Sequence, residues 1–214
     1  MTFFIPIVGT HCAGKSTLAK KLTELANARG LNATFVAEVA RDCPLPMHDG
    51  QTEETTKWIL EEQIKREDAL KDNFDIVFCD RSFADPLLYF FAKKENRPTL
   101  SQFLIENKKL CGKNFYQMSV NYNKRYKHTV FQLLSGKELE SVTHDGVRDT
   151  DVYYRKNIQD IAIRLFNWIT DHQFVHESPL SRSIDDNKHY NEILDIILFN
   201  CDSKYRKDSN PSEC

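Results

Sequence analysis

Eight consecutive residues, Gly9-Thr10-His11-Cys12-Ala13-Gly14-Lys15-Ser16, have the composition and spacing of a loop that holds phosphate. The glycines let the backbone curl so that successive N–H groups face phosphate oxygens, and the positive end of a following helix adds to the attraction. Lys15 at this spacing reaches the outer phosphates of a nucleoside triphosphate, and the Ser16 hydroxyl is placed to ligate Mg²⁺. Gly9, His11, Cys12, Ala13, Gly14, Lys15, Ser16 and Thr17 are therefore the candidate cofactor-binding residues, with ATP and Mg²⁺ as the expected cofactors. The alternative is a glycine-containing strand-to-helix turn that binds nothing. That would require both glycines, the Lys-Ser pair and both flanking elements to coincide by accident. Cys12, near the expected helix start, has no partner base in the sequence that would make it a catalytic thiol.

Three further groups of residues carry chemistry. Asp80 follows the apolar run Ile76 to Cys79, which puts a carboxylate at the carboxyl edge of a sheet, where ligands of open parallel sheets bind. It is a candidate second metal ligand. Arg81 and Ser82 then offer a guanidinium for phosphate or acceptor and a hydroxyl; the plain reading of this trio is a surface turn with a local ion pair. Glu38 and Arg41 follow the second predicted strand at the same edge. There a carboxylate can accept a proton from a hydroxyl and an arginine can clamp an anion, or the two can form a surface i,i+3 pair. Arg148, in Asp145-Gly146-Val147-Arg148-Asp149, stands before a helix where a mobile arginine can meet a γ-phosphate, unless Asp145 or Asp149 fixes it. Asp85, ahead of Pro86, reads first as a helix cap and second as a substrate contact.

These residues need a scaffold, and the hydrophobic pattern supplies one. Strands are predicted at 3–8, 33–37, 75–79, 128–134 and 173–177. Helices are predicted from Leu18 to Arg29, from Thr52 to Lys71 with Trp58, Ile64 and Leu70 as core contacts, from Leu87 to Ala92, from Thr99 to Leu110 with Gly112 as stop, from Asp151 to Thr170, and after the pattern Ser183 to Asp186. Strands alternating with helices argue for a parallel sheet covered on both faces. Residues 1–201 form one domain on this reading, with 93–127 as an insertion, 135–150 as a lid and 202–214 as a disordered tail. The segment 135–150 is long, polar and without apolar period, and loops of that length are usually functional lids or disordered.

Composition excludes several classes. The chain has 214 residues, 29 basic and 31 acidic side chains and a net charge of -2, so no bulk field selects nucleic acid or an anionic membrane. The six cysteines show no metal-ligand spacing and read as free thiols of a reducing, cytoplasmic compartment. No run reaches the roughly 20 apolar residues that span a bilayer, so no membrane partner is expected. One local exception is 108–128, where Lys108, Lys109, Lys113, Lys124, Arg125, Lys127 and His128 interleave with Phe115, Tyr116, Tyr122 and Tyr126. Basic and aromatic residues together can grip single-stranded nucleic acid, but a solvated insertion with a few rings docked on the core is the reading preferred here.

Taken together, Gly9 to Ser16, Glu38-Val39-Ala40-Arg41, Asp80-Arg81-Ser82 and Asp145-Gly146-Val147-Arg148 resemble the small P-loop kinases of nucleosides and nucleotides. The set is most similar to the nicotinamide riboside kinase-like ATPases, and deoxynucleoside kinases place related motifs after their second and third strands. The resemblance implies a P-loop NTPase three-layer α/β sandwich with a five-stranded parallel sheet, helices on both faces and a lid. It implies Glu38 as the acceptor-side base, Asp80 as the metal-linked carboxylate, Arg81 as a phosphate or substrate clamp and Arg148 as the lid arginine. With Lys15 these are the candidate catalytic residues, Ser16 and Asp80 the metal ligands, and Glu38, Arg41, Arg81 and Asp85 the substrate contacts. The expected activity is ATP·Mg²⁺-dependent transfer of a γ-phosphoryl group to a small nucleoside- or nucleotide-like acceptor. Two alternatives stand beside it: a kinase acting on a modified base or terminus of DNA, and a nucleotide-dependent regulatory ATPase.

Overall fold

The computed structural model describes residues 1–47, 50–92, 109–110, 113–126, 128–134, 151–169, 174–179 and 187–201. In chain order the elements are β1 (Phe3–Val8), α1 (Lys15–Ala28), β2 (Ala33–Val36), a 3-10 turn (Val39–Asp42), α2 (Glu53–Leu70), β3 (Ile76–Asp80) and α3 (Asp85–Ala92). There follow a hairpin of β4 (Lys109–Leu110) and β5 (Lys113–Asn114), then α4 (Phe115–Arg125), β6 (His128–Leu133), α5 (Val152–Ile169), β7 (Phe174–Pro179) and α6 (Asn187–Cys201). The main sheet runs β2-β3-β1-β6-β7, all pairs parallel, with Phe3 opposite Ile76 and Ile7 opposite both Asp80 and Val130.

Side-chain alternation along the strands makes two cores. Ile5, Ile7, Ile76, Phe78 and Val130 point to one face, where Leu18 and Leu22 of α1 and Ile193 and Leu194 of α6 cover them. Phe4, Val8, Val77, Cys79 and Phe131 point to the other, against Ile59 and Leu60 of α2, α3, Tyr122 of α4 and Leu165 of α5. Continuous burial on both faces is why β1 and β3 read as unbroken apolar runs rather than as alternating ones. The register brings the carboxyl ends of β1, β2 and β3 to one edge, and so sets Gly9, Glu38 and Arg81 side by side.

One expectation is corrected. Lys109 and Leu110 do not end a helix: they pair antiparallel with Asn114 and Lys113. Only two residues, one of them Gly112, separate the paired strands, a connection that suits a hairpin better than a helix stop; residues 99–108 lie outside the described residues. Within the segment 93–127, Met118, Tyr122 and Tyr126 are buried in the main core and Tyr126 bridges to Phe4. On α2, Trp58, Ile64 and Leu70 are partly buried and pack against the main core as expected, beside the fully buried stripe Thr55, Thr56, Ile59, Leu60, Gln63 and Glu67. The polar members of that stripe are hydrogen-bonded: Thr55 donates to the Pro46 carbonyl, Thr56 to the Thr52 carbonyl, and Gln63 to Glu67 and to the Arg81 carbonyl. The expected lid 135–150 and tail 202–214 lie outside the described residues.

Candidate functional site

The phosphate loop joins β1 to α1 under tight backbone constraint. Cys12 (φ 60°) and Gly14 (φ 72°) are left-handed, and a Cβ at Gly9 would collide with the carbonyl oxygen of Gln132 on β6. Gly9 thus lets the loop lie against the neighbouring strand, and Gly14 turns the chain into the helix. No side chain caps the start of α1 at Gly14, so its first-turn N–H groups are left for an anion. From outside, the Thr10 hydroxyl donates to the carbonyl of Arg155 on α5 at 3.1 Å, and Arg155 Nη2 donates to the His11 carbonyl at 3.4 Å. Arg155 is fully buried and was not singled out from the sequence, where it sits inside an amphipathic helix.

Lys15 is buried and donates from Nζ to the Thr10 carbonyl at 2.7 Å. Burial, aided by the Arg81 cation and opposed by Asp80, Glu38 and Asp85, lowers its ammonium to about 8. The Ser16 hydroxyl donates to Asp80 Oδ2 at the end of β3. One hydroxyl beside one carboxylate at a phosphate loop fits Mg²⁺, which keeps several waters and takes its remaining ligands from substrate phosphates. Among the described residues no cluster of three or more His, Cys, Asp or Glu forms a self-sufficient metal cage.

Opposite the loop, a single carboxylate holds two arginines. Glu38 Oε1 accepts from Arg81 Nε at 2.7 Å and lies 2.7 Å from Arg81 Nη2, while Oε2 accepts from Arg41 Nε at 3.0 Å. Arg81 first, with Lys15 and Arg41, lowers the Glu38 carboxyl to about 2 against the opposing effect of burial. Glu38 is therefore fixed as an anion, an acceptor of hydrogen bonds rather than a reservoir for a proton near neutral pH.

Arg81 is buried and left-handed at φ 85°, a conformation of order 1–3 kcal/mol above the allowed regions for a side chain of this size. Its Nη1 donates to the Tyr89 hydroxyl and lies 3.8 Å from Asp85 Oδ1, and its guanidinium stands 4.6 Å from the Tyr89 ring centre. Tyr89 in turn reaches the Gly9 carbonyl at 3.5 Å, so this tyrosine links Arg81 to the phosphate loop. Tyr89 was not singled out from the sequence; its spacing of four from Asp85 on α3 puts the two on one helix face. Asp85 is the first residue of α3 rather than its cap: Oδ2 accepts from the Ser82 N–H at 2.8 Å and the Ser82 hydroxyl at 2.7 Å. The side chain turns back toward the preceding turn because Arg81 and Ser82 offer it donors there. Burial raises its carboxyl to about 6, opposed by Arg81.

These groups line a cavity of about 450 Å³ together with the apolar Val39, Ala40, Met47, Ile59 and Pro86 and with Tyr154. Of the sequence candidates, His11, Cys12, Gly14, Lys15, Ser16, Thr17, Glu38, Arg41, Asp80 and Arg81 share it; Gly9 and Ala13 form the loop's frame, and Asp85 acts behind Arg81. Arg148 lies outside the described residues. The basic and aromatic stretch 108–128 is committed elsewhere at several points: Tyr122 and Tyr126 are fully buried, and Arg125 pairs with Glu67 at 2.9 Å and Asp68 at 2.6 Å. Cys43 and Cys79 are free thiols. Among the described residues no helix is long and apolar enough to cross a membrane.

Comparison with solved structures finds the same architecture. Thymidylate kinase from Candida albicans superposes with a TM-score of 0.62 at 14% identity, over 96% of this chain and 94% of that one. Deoxyadenosine kinase from M. mycoides, with dCMP and dCDP bound, gives 0.59 at 12% over 92% and 99%. Thymidylate kinase from Ehrlichia chaffeensis gives 0.55 at 13% over 92% and 98%. The fold is thus that of P-loop kinases of nucleotides and nucleosides, an α/β sandwich about a parallel sheet. A search of curated proteins finds no match. Residues 4–176 match the family described as the AAA domain, and with most of its length inside that match the chain belongs to the AAA domain family.

Proposed function

We propose that this chain is an ATP·Mg²⁺-dependent phosphotransferase that moves the γ-phosphoryl group to a hydroxyl of a small nucleoside-like acceptor. The observation that carries this reading is Glu38, an anionic carboxylate held by Arg81 and Arg41 in the same cavity as Lys15. A nucleotide switch needs no such group, whereas an acceptor hydroxyl needs an oriented hydrogen-bond acceptor. Both arginines that line the described cavity are paired with Glu38. That pairing favours a neutral hydroxyl over the dianionic phosphate of a nucleotide as the acceptor group. The apolar residues that line the cavity suit the ring of such a molecule.

On this reading the loop N–H groups and Lys15 hold the triphosphate, and Glu38 aligns the acceptor hydroxyl with the γ-phosphorus. The acceptor O–P bond forms as the β,γ-bridging P–O bond breaks, ADP leaves with that electron pair, and the hydroxyl proton, aligned by Glu38, passes to an oxygen of the transferred phosphoryl group and on to solvent. Mg²⁺, held by Ser16 and linked to Asp80, supplies neutralisation of the phosphate charge. Arg148 is proposed as a further cation for the γ-phosphate.

Incubating the protein with γ-labelled ATP and a panel of nucleosides, nucleoside monophosphates and single-stranded oligonucleotides tests this directly. Label on a nucleoside supports the proposal. Label on an oligonucleotide alone supports action on nucleic acid instead, and free phosphate alone supports the regulatory ATPase that membership of the AAA domain family also suggests.

A further inference from the structure

The turn that carries Arg81 is held by side chains from behind, through one buried carboxylate that has no place in the chemistry above. Glu67 of α2 is fully buried. Its Oε1 accepts from Gln63 Nε2 at 2.8 Å and from the Tyr126 hydroxyl at 2.7 Å, and its Oε2 pairs with Arg125 at 2.9 Å. Both hydrogen-bonded neighbours continue to the turn. Gln63 Nε2 also donates to the Arg81 carbonyl at 3.4 Å, and the Tyr126 oxygen accepts from the Phe83 N–H at 3.2 Å. Further backbone groups of the turn are taken as well: the Arg81 N–H donates to the Ile7 carbonyl at 3.1 Å and the Ser82 N–H to Asp85.

A closed path therefore runs from the Arg81 carbonyl through Gln63, Glu67 and Tyr126 to the Phe83 N–H, around a residue at φ 85°. Left-handed backbone at a bulky residue persists only where its surroundings over-determine it. This path supplies the determination. A buried anion is a costly anchor unless it is paired and fully hydrogen-bonded. Glu67 meets that condition, though burial still raises its carboxyl against the opposing bonds from Tyr126, Gln63 and Arg125. Tyr126 and Arg125 close α4, so the path also fixes the end of that helix to the turn.

We infer that Glu67, acting through Gln63 and Tyr126, is the positioning residue that holds Arg81 in the conformation in which it meets Glu38. The kinetic consequences rest on the kinase reading; the conformational one does not. Glu67→Gln and Tyr126→Phe are the variants. Tyr126→Phe removes a single hydroxyl and keeps the ring in the core, so it guards against a Glu67→Gln protein that fails to fold. The first readout is the Arg81 Nε–H cross-peak in ¹⁵N NMR, identified by its loss in Arg81→Lys. Both variants are expected to shift or broaden it while the amide signals of Gly9 to Ser16 stay in place; an unmoved cross-peak in both overturns the inference. The second readout is kinetic. Acceptor KM is expected to rise about tenfold with ATP affinity within about twofold, and Glu67→Gln is expected to add almost nothing in an Arg81→Lys background. Fully additive losses overturn the inference. A wild-type protein that transfers no phosphoryl group overturns the kinase reading instead, and the cross-peak then decides this inference alone.

Discussion

The hydroxyl of Ser16, at the start of α1, donates to the carboxylate of Asp80, at the end of β3. Sixty-four residues separate them in sequence, and the pairing of β1 with β3 closes that gap by setting Ile7 opposite Asp80. The contact joins the phosphate loop to the proposed metal carboxylate before any ligand arrives.

Asp80→Asn removes a full charge while keeping the size of the side chain. Mg²⁺-dependent turnover is expected to fall by about 10²-fold or more, because neutralisation of phosphate charge at such a site contributes several kcal/mol to the transition state. Titrating Mg²⁺ at saturating ATP checks this. A Mg²⁺ dependence identical to wild type would move the metal role away from Asp80.

Lys15 predicts a proton signature. Its ammonium lies at about 8 in the free protein, against an ordinary 10.5, so above pH 8 much of the population is neutral. Phosphate oxygens beside Nζ favour the charged form. Nucleotide binding near pH 8.5 is therefore expected to take up a proton, seen as a binding enthalpy that changes with the ionisation enthalpy of the buffer. Below about pH 7 the dependence should vanish, since Lys15 is already charged. Lys15→Ala should remove it and abolish transfer while leaving circular dichroism unchanged.

Asp85 and Glu38 titrate on opposite sides of their ordinary values, and their effects on stability have opposite signs. Asp85 rises from 3.8 to about 6: the native state binds more protons in that window, so this group lowers stability as pH rises through it. Glu38 falls from 4.5 to about 2: its contribution is present above 4.5 and is lost as pH falls toward 2. Relative to wild type, Asp85→Asn should thus gain stability between pH 4 and 6, whereas Glu38→Gln should lose its deficit as pH falls below 4. Urea unfolding across that range checks both slopes.

The phosphate loop was legible because its chemistry is local: two glycines, a lysine and a serine in fixed register, between an apolar strand and a helix. Glu38, Asp80 and Arg81 were legible as strand-end residues at one sheet edge, since the alternation of strands and helices dictates where those ends meet. Their pairing was not. Nothing local tells that Glu38 accepts from Arg81 across 43 residues, and that contact turns an expected base into a fixed anion. Gln63, Glu67 and Tyr126 were hidden for a related reason. Polar groups on a buried helix face look like solvent-facing residues until their partners, here 18 to 59 residues away, are in view.

The most direct test of the central claim compares phosphoryl transfer and ATP binding in wild type and Glu38→Gln under the same conditions. The wild-type protein should transfer label from γ-labelled ATP to a nucleoside hydroxyl. Glu38→Gln should lose transfer by roughly 10²- to 10³-fold, the cost of removing one preorganised charged acceptor, while its ATP affinity stays within about twofold of wild type. Equal release of free phosphate by both proteins, with no labelled acceptor from either, would contradict the assignment of this site to phosphoryl transfer.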